Sequence, residues 1–65
     1  MTLSEIKSAV NEGKIVCWSN YLYEVRKNRY GQFYIICTSS PYTTVLTRKD
    51  IGELIESEEK FFIKD

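Results

Sequence analysis

Two runs of alternating residue types dominate the middle of the chain. Residues 21–27 (Tyr-Leu-Tyr-Glu-Val-Arg-Lys) and 32–38 (Gln-Phe-Tyr-Ile-Ile-Cys-Thr) are rich in aromatic and β-branched residues, which favour strands. The short stretch between them contains Gly31, which indicates a β-hairpin. Arg29-Tyr30-Gly31 fits a three-residue loop, in which Gly31 takes the left-handed conformation because it has no Cβ to clash.

This loop also predicts the register of the hairpin, with Val25 opposite Ile35 and Tyr23 opposite Cys37. Because successive side chains of a strand point to opposite faces, each face then has a defined set of residues. One face collects most of the apolar residues and is expected to point to the core: Tyr21, Tyr23, Val25, Phe33, Ile35 and Cys37. The other face carries Leu22, Glu24, Arg26, Tyr34, Ile36 and Thr38.

A helix is predicted before the hairpin, at residues 3–12. Thr2 and Glu5 have the spacing of a capping box, in which each side chain accepts a hydrogen bond from the backbone amide of the other. Gly13 is expected to end the helix in the left-handed conformation. Apolar residues recur on one helical face, as in a helix packed on a sheet: Leu3, Ile6 and Val10.

Two further strands are predicted at residues 14–18 and 42–47. In the first, Val16 and Trp18 extend the core face, and the polar end of Trp18 is expected to reach water. In the second, the residues expected to point inward are Tyr42, Thr44 and Leu46, with Val45 outward.

A second helix is predicted at about residues 48–57, where apolar residues recur at helical spacing. The pattern leaves Phe61–Ile63 open as a short strand or a helix end. The predicted order is therefore helix, three or four antiparallel strands, helix (αββββα). With both helices on one face of the sheet, this is an α+β two-layer sandwich. We expect a single domain spanning residues 1–65.

Composition narrows the candidate chemistry. The chain has two Cys and no His, too few thiolates and imidazoles for a four-ligand zinc site of the usual kind. Cys17 and Cys37 are predicted on opposite sheet faces, so we expect two reduced thiols, as in a cytoplasmic protein. The polar start is unlike a signal peptide, and no apolar stretch is long enough to span a membrane.

The same residues argue against an enzyme. Neither thiol has a histidine to activate it, and the three Gly residues are isolated, so no glycine-rich phosphate loop is present. The prediction is therefore a non-enzyme with no catalytic residue, no metal site and no cofactor.

Several short motifs carry a family resemblance. They are G-K-x-V-x-W-x-N at residues 13–20, Y-E-V at 23–25, G-Q-x-Y-x-I-C at 31–37 and F-F-I at 61–63. In these the chain resembles a loose group of short bacterial proteins that are often linked to phages and other mobile elements. The resemblance implies an accessory protein of a mobile element, and it transfers no catalytic or binding residue.

The sheet face that points away from the predicted helices is the first functional hypothesis. It presents large apolar and aromatic side chains beside an arginine, and such a patch often marks a contact site. The plainer interpretation is an ordinary solvated sheet face. We predict a small interaction module, an accessory or inhibitor protein, that binds a protein partner or forms a homodimer. The predicted contact residues are Leu22, Arg26, Tyr30, Tyr34 and Ile36.

A nucleic-acid-binding hairpin is the alternative hypothesis. Basic and aromatic side chains are interleaved near the loop, as in sites where bases stack on aromatic rings. The formal net charge of zero argues against it, because binding that is independent of nucleic-acid sequence depends on an excess of Lys and Arg. The residues predicted for this alternative are Arg26, Lys27, Arg29, Tyr30 and Tyr34.

Overall fold

A single helix, α1 (Leu3–Asn11), opens the computed structural model, which describes residues 1–47, 52 and 54–64. The predicted capping box is confirmed. The Glu5 amide donates to Thr2 Oγ1 at 3.1 Å, and the Thr2 amide donates to Glu5 Oε1 at 2.8 Å. The bond from the Thr2 amide lowers the pKa of the Glu5 carboxyl, because it favours the charged form.

The predicted helix end at Gly13 is also confirmed, with φ +87° at that residue. The Gly13 amide donates to the Val10 carbonyl at 3.1 Å, and the Lys14 amide donates to the Ala9 carbonyl at 3.0 Å. This pair of bonds is the Schellman arrangement, which satisfies carbonyls that a helix end leaves without partners. The chain therefore leaves α1 in a fixed direction towards the first strand.

Five strands form one antiparallel sheet in the order β4-β3-β2-β1-β5. They are β1 (Val16–Trp18), β2 (Asn20–Lys27), β3 (Phe33–Cys37), β4 (Thr43–Val45) and β5 (Phe61–Ile63). A 3₁₀ helix at Glu58–Lys60 leads directly into β5. β1 and β4 are shorter than predicted, and the open assignment of Phe61–Ile63 is resolved as an edge strand beside β1.

The predicted helix–sheet–helix sandwich is wrong, because the described residues form one α-helix followed by five strands. The expected second helix at 48–57 falls partly outside the described residues, since 48–51 and 53 are not among them. In the described remainder, Leu54 forms an antiparallel bridge with Thr47. Leu54 thus forms a strand-like bridge with a nearby residue instead of continuing a helix.

The predicted register of the β2–β3 hairpin is confirmed: Val25 pairs with Ile35 and Tyr23 pairs with Cys37. Gly31 has φ +81°, in the left-handed region that was predicted for it. The hairpin therefore presents the two sets of side chains expected from the sequence, except at Tyr21.

Asn28 holds the loop of this hairpin together. Its Oδ1 accepts hydrogen bonds from the Tyr30 amide at 2.9 Å and the Gln32 amide at 3.0 Å. Its backbone amide donates to the Gln32 carbonyl at 2.9 Å. Asn is suited to this role because its short side chain can bond to nearby backbone amides.

The helix packs on one face of the sheet, and the core lies between them. Val25 and Ile35 are buried there as predicted, and Leu46 is buried while Val45 is exposed, also as predicted. Tyr42 was predicted to point inward, but it remains 43% exposed, and its ring meets the Tyr23 ring edge-to-face with centroids 5.9 Å apart. The buried apolar cluster consists of Ile6, Ala9, Val16, Val25, Ile35, Leu46 and Phe61.

Tyr21 does not join the core, contrary to the prediction. The register between β1 and β2 shifts after Cys17, so that Trp18 lies opposite Asn20. Between the two strands, Ser19 takes a left-handed conformation with φ +67°. This irregularity breaks the simple alternation of β2, and Tyr21 remains 62% exposed.

Trp18 packs on the core as predicted, but its polar end does not reach water. Its ring meets the Tyr23 ring edge-to-face, with centroids 5.0 Å apart. The indole Nε1 is buried and has no hydrogen-bond partner among the described residues. The edge-to-face contact with Tyr23 is favourable, and it helps to hold the Trp18 ring in this buried position.

Candidate functional site

The sheet face that points away from α1, called the open face below, crosses all five strands. Strand alternation and the observed pairings define its members. Arg26 lies opposite Tyr34, which in turn lies opposite Val45, and Cys17 lies between Glu24 and Phe62. The open face consists of Cys17, Leu22, Glu24, Arg26, Tyr34, Ile36, Thr43, Val45 and Phe62.

On the open face, some apolar side chains are well exposed to solvent and others are largely buried by their neighbours. Leu22 is 48% exposed and Val45 is 52% exposed, whereas Tyr34 and Ile36 are half-buried. Cys17 is fully buried between its neighbours. A contacting molecule would therefore meet large apolar side chains on β2, β3 and β4, a type of surface that often serves as a contact site.

An ion pair lies in the middle of this apolar surface. The Arg26 guanidinium donates to Glu24 Oε1 from Nη2 at 2.7 Å and from Nε at 3.1 Å. Glu24 is only 8% exposed, and a buried carboxylate is costly unless it is paired. The Arg26 guanidinium therefore supplies the hydrogen-bond partner that the buried Glu24 side chain needs.

Four of the five predicted contact residues share the open face as expected, namely Leu22, Arg26, Tyr34 and Ile36. Tyr30 does not. It lies in the hairpin loop, 76% exposed, with the Arg29 guanidinium carbon 5.3 Å from its ring centroid. The predicted contact set is thus divided between the open face and the end of the hairpin.

An aromatic pair at the edge of the open face was missed by sequence reasoning. The rings of Tyr21 and Phe62 meet edge-to-face, with centroids 5.5 Å apart. Phe62 points away from the core because its neighbour Phe61 points into it. The alternation of Phe61 and Phe62 would have revealed this, had the segment been recognised as a strand.

The residues of the nucleic-acid alternative are also divided. Arg26 is paired on the open face, whereas Lys27, the next residue of β2, points to the other side and lies near Phe33. Lys7 of α1, which was not predicted, reaches the same ring, with its Nζ 5.6 Å from the centroid. Lys7, Lys27 and Arg29 are called the basic cluster below.

The two thiols lie on opposite faces, as predicted, and differ in acidity. Cys37 Sγ lies 3.4 Å from Ser39 Oγ. Hydrogen bonds with the side chains of Ser39 and then Ser40 lower the pKa of the Cys37 thiol to about 7. By contrast, burial raises the pKa of the Cys17 thiol, and the negative charge of Glu24 raises it further.

Two structural findings bear on the wider classes of function. Within residues 1–47, 52 and 54–64, His, Cys, Asp and Glu side chains form no group of three or more that could hold a metal ion. In the same part of the chain, no helix has the length and apolar character needed to cross a membrane.

Comparisons with known proteins add no family assignment. No protein-family model matches the chain, and neither the curated proteins nor the solved structures give a significant match. The resemblance to short proteins of phages and mobile elements therefore stays a prediction.

Proposed function

We propose that this protein is a small non-enzymatic interaction module that binds a protein partner through its open face. The partner is another protein or a second copy of this chain. Following the sequence resemblance, we also propose that it acts as an accessory or inhibitor protein of a phage or mobile element, in the cytoplasm.

The proposal is supported by the observation that α1 covers one face of the sheet and not the other. The helix packs on the face that holds Val25 and Ile35, while Leu22 and Val45 remain about half exposed on the other face. Contact with a partner would remove this apolar area from water, which is favourable by roughly 25 cal/mol per Å². The paired Arg26 adds no unbalanced charge to such a contact.

The ion pair also favours a particular kind of partner surface. Arg26 is half exposed although it is bonded to Glu24, so its remaining guanidinium protons are available to carbonyl oxygens of a partner. Arg and Tyr are enriched among the residues that dominate interface energies. We therefore expect a largely apolar partner surface with hydrogen-bond acceptors opposite Arg26.

The test compares two single variants with matched exposure. Leu22→Ser removes an apolar side chain from the open face, and Ile63→Ser removes one that is 40% exposed on the side of β5 that carries Phe61. Self-association is measured by sedimentation over a wide concentration range, and partner capture from the source cell by affinity pull-down. We expect Leu22→Ser to weaken association at least tenfold and Ile63→Ser to leave it unchanged.

A double variant covers the case in which one substitution alone weakens association only slightly. Tyr34→Ala combined with Ile36→Ser removes two side chains from the middle of β3, and its fold is checked by circular dichroism. The proposal is abandoned if the wild type is monomeric and the folded double variant recovers the same partners as the wild type.

A further inference from the structure

Two lysines from different elements converge at the hairpin end of the molecule. Lys7 Nζ of α1 lies 5.6 Å from the Phe33 ring centroid, and Lys27 Nζ of β2 lies 5.8 Å from the same centroid. Lys27 also donates to Asn11 Oδ1 at 2.9 Å. Both ammonium groups therefore lie beside the same aromatic ring, which attracts cations.

The loop adds a third cation and an exposed ring. Arg29 lies over the ring of Tyr30, which is largely open to solvent. Among the described residues, the two ion pairs are Lys14–Glu12 and Arg26–Glu24, so neither involves the basic cluster. The hairpin end therefore carries three basic side chains that form no ion pair within the described residues, although the formal net charge of the chain is zero.

A groove of about 490 Å³ opens beside these charges. The amide side chains of Asn28 and Gln32 lie along it and are hydrogen-bonded to each other at 3.0 Å. Their remaining amide protons can form hydrogen bonds with the edges of unpaired bases. Its lining includes Lys7, Asn28, Gln32, Phe33, Tyr34 and Thr47.

We infer that the hairpin end is a second binding site, which takes a single-stranded nucleic acid and adjoins the open face at Tyr34 and Val45. Phosphates contact Lys7, Lys27 and Arg29, and one base stacks on Tyr30. A single strand fits because its unpaired bases can turn outward onto a ring. This site differs from the one predicted from the sequence, since it includes Lys7 and excludes the paired Arg26.

Fluorescence anisotropy with a labelled oligothymidylate tests the inference at 50 and 200 mM salt. Three phosphate contacts give a logarithmic salt slope of about −2 for a single strand, which weakens binding roughly 15- to 20-fold between these concentrations. The variant Lys7→Gln/Lys27→Gln/Arg29→Gln is expected to lose both the binding at low salt and the slope. Tyr30→Ala is expected to weaken binding about fivefold or more while keeping the slope.

A matched triple variant separates the site from net charge. Lys14→Gln/Lys60→Gln/Lys64→Gln removes the same charge elsewhere and is expected to bind like the wild type, and circular dichroism checks that all variants fold. The inference is overturned if the two triple variants bind equally, or if the wild type does not bind at low salt. It is also overturned if duplex DNA binds as well as the single strand, or if polyglutamate competes equally, which would indicate an acidic protein instead. Competition by tripolyphosphate combined with no effect of Tyr30→Ala would likewise remove the nucleic-acid assignment.

Discussion

Gly31 and Ser19 both have left-handed backbone conformations, with φ +81° and +67°. An L-residue with a Cβ pays about 1–2 kcal/mol in that region. At Gly31 the chain has the residue that avoids this cost. At Ser19 it does not, so the irregular β1–β2 connection is held in place by its surroundings, including a bond from the Ser19 amide to the Lys60 carbonyl at 2.8 Å.

Gly31→Ala is expected to lower the free energy of unfolding by about 1 kcal/mol, because an added Cβ would strain the backbone. Its nearest contact would be Lys27 Cε at 3.9 Å, which is ordinary packing, so no steric clash contributes. For a domain of this size the melting temperature should fall by about 4–8 °C, measured by circular dichroism.

Ser19→Gly is the control for that prediction. Here the substitution removes strain from the folded state, which offsets the added freedom of the unfolded chain. The melting temperature should stay the same or rise. If Ser19→Gly and Gly31→Ala destabilised the protein equally, backbone conformation would not be the cause in either case.

Cys37 should ionise near pH 7, where Cys17 remains protonated. The ultraviolet absorbance of the thiolate, followed against pH, should show one transition at about 7 in the wild type and in Cys17→Ala. Cys37→Ala should remove the transition. Ser39→Ala should move it upward, because the largest cause of the lowered pKa of Cys37 is the hydrogen bond with the Ser39 side chain.

The same shift makes stability depend on pH in a defined direction. The folded pKa of Cys37 lies at about 7, below the ordinary value of 9.0, so folding favours the thiolate. This contribution is fully present above pH 9 and is lost as the pH falls through 7. Relative to Cys37→Ala, the wild type should therefore gain stability between pH 7 and 9. A flat difference in urea midpoints would contradict the assigned hydrogen bonds.

At the scale of elements, β5 shows how alternation separates two adjacent phenylalanines. Phe61 is 3% exposed in the core, whereas Phe62 is half-buried on the open face against Tyr21. Phe61→Ala is expected to cost about 3–5 kcal/mol, the usual range for a buried aromatic. Since the whole domain is held by roughly 3–10 kcal/mol, this variant should be largely unfolded by circular dichroism.

Phe62→Ala should be markedly milder, because less of its side chain is removed from water in the folded protein. Phe61→Leu supplies a folded intermediate case, in which the core position stays apolar. Urea unfolding would rank the three variants, and equal losses for Phe61→Ala and Phe62→Ala would contradict the observed facing of β5.

The hairpin was predictable because its signals are local and agree with one another. Gly31 specifies the loop, the loop specifies the register, and alternation then assigns the faces. The second helix was predicted from apolar spacing and from an N-cap-like pattern at Thr47. In the structure the Ile55 amide donates to the Leu46 carbonyl at 3.2 Å, and Gly52 has φ +69°. In the described part of this segment, backbone pairing with residues 46 and 47 therefore takes the place of helical hydrogen bonds.

At the scale of the whole molecule, contacts between segments that are far apart in the sequence could not be predicted. β5 pairs with β1 through Val16 and Ile63, and no local pattern signals a partner so far along the chain. The same limit applies to the candidate sites. The facing of Tyr34 and Ile36 followed from the hairpin, but the approach of Lys7 to Phe33 required the helix to be placed on the sheet.

The placement of Trp18 gives the molecule a built-in optical probe. The chain has one tryptophan, and its indole N–H is shielded from water at the seam where β1 meets Phe61 of β5. Its emission should therefore be blue-shifted while the seam is closed and should move to the red as soon as water enters it. Because Trp18 also packs on Tyr23 of β2, its emission would report on the junction of β1 with both neighbouring strands, without any added dye.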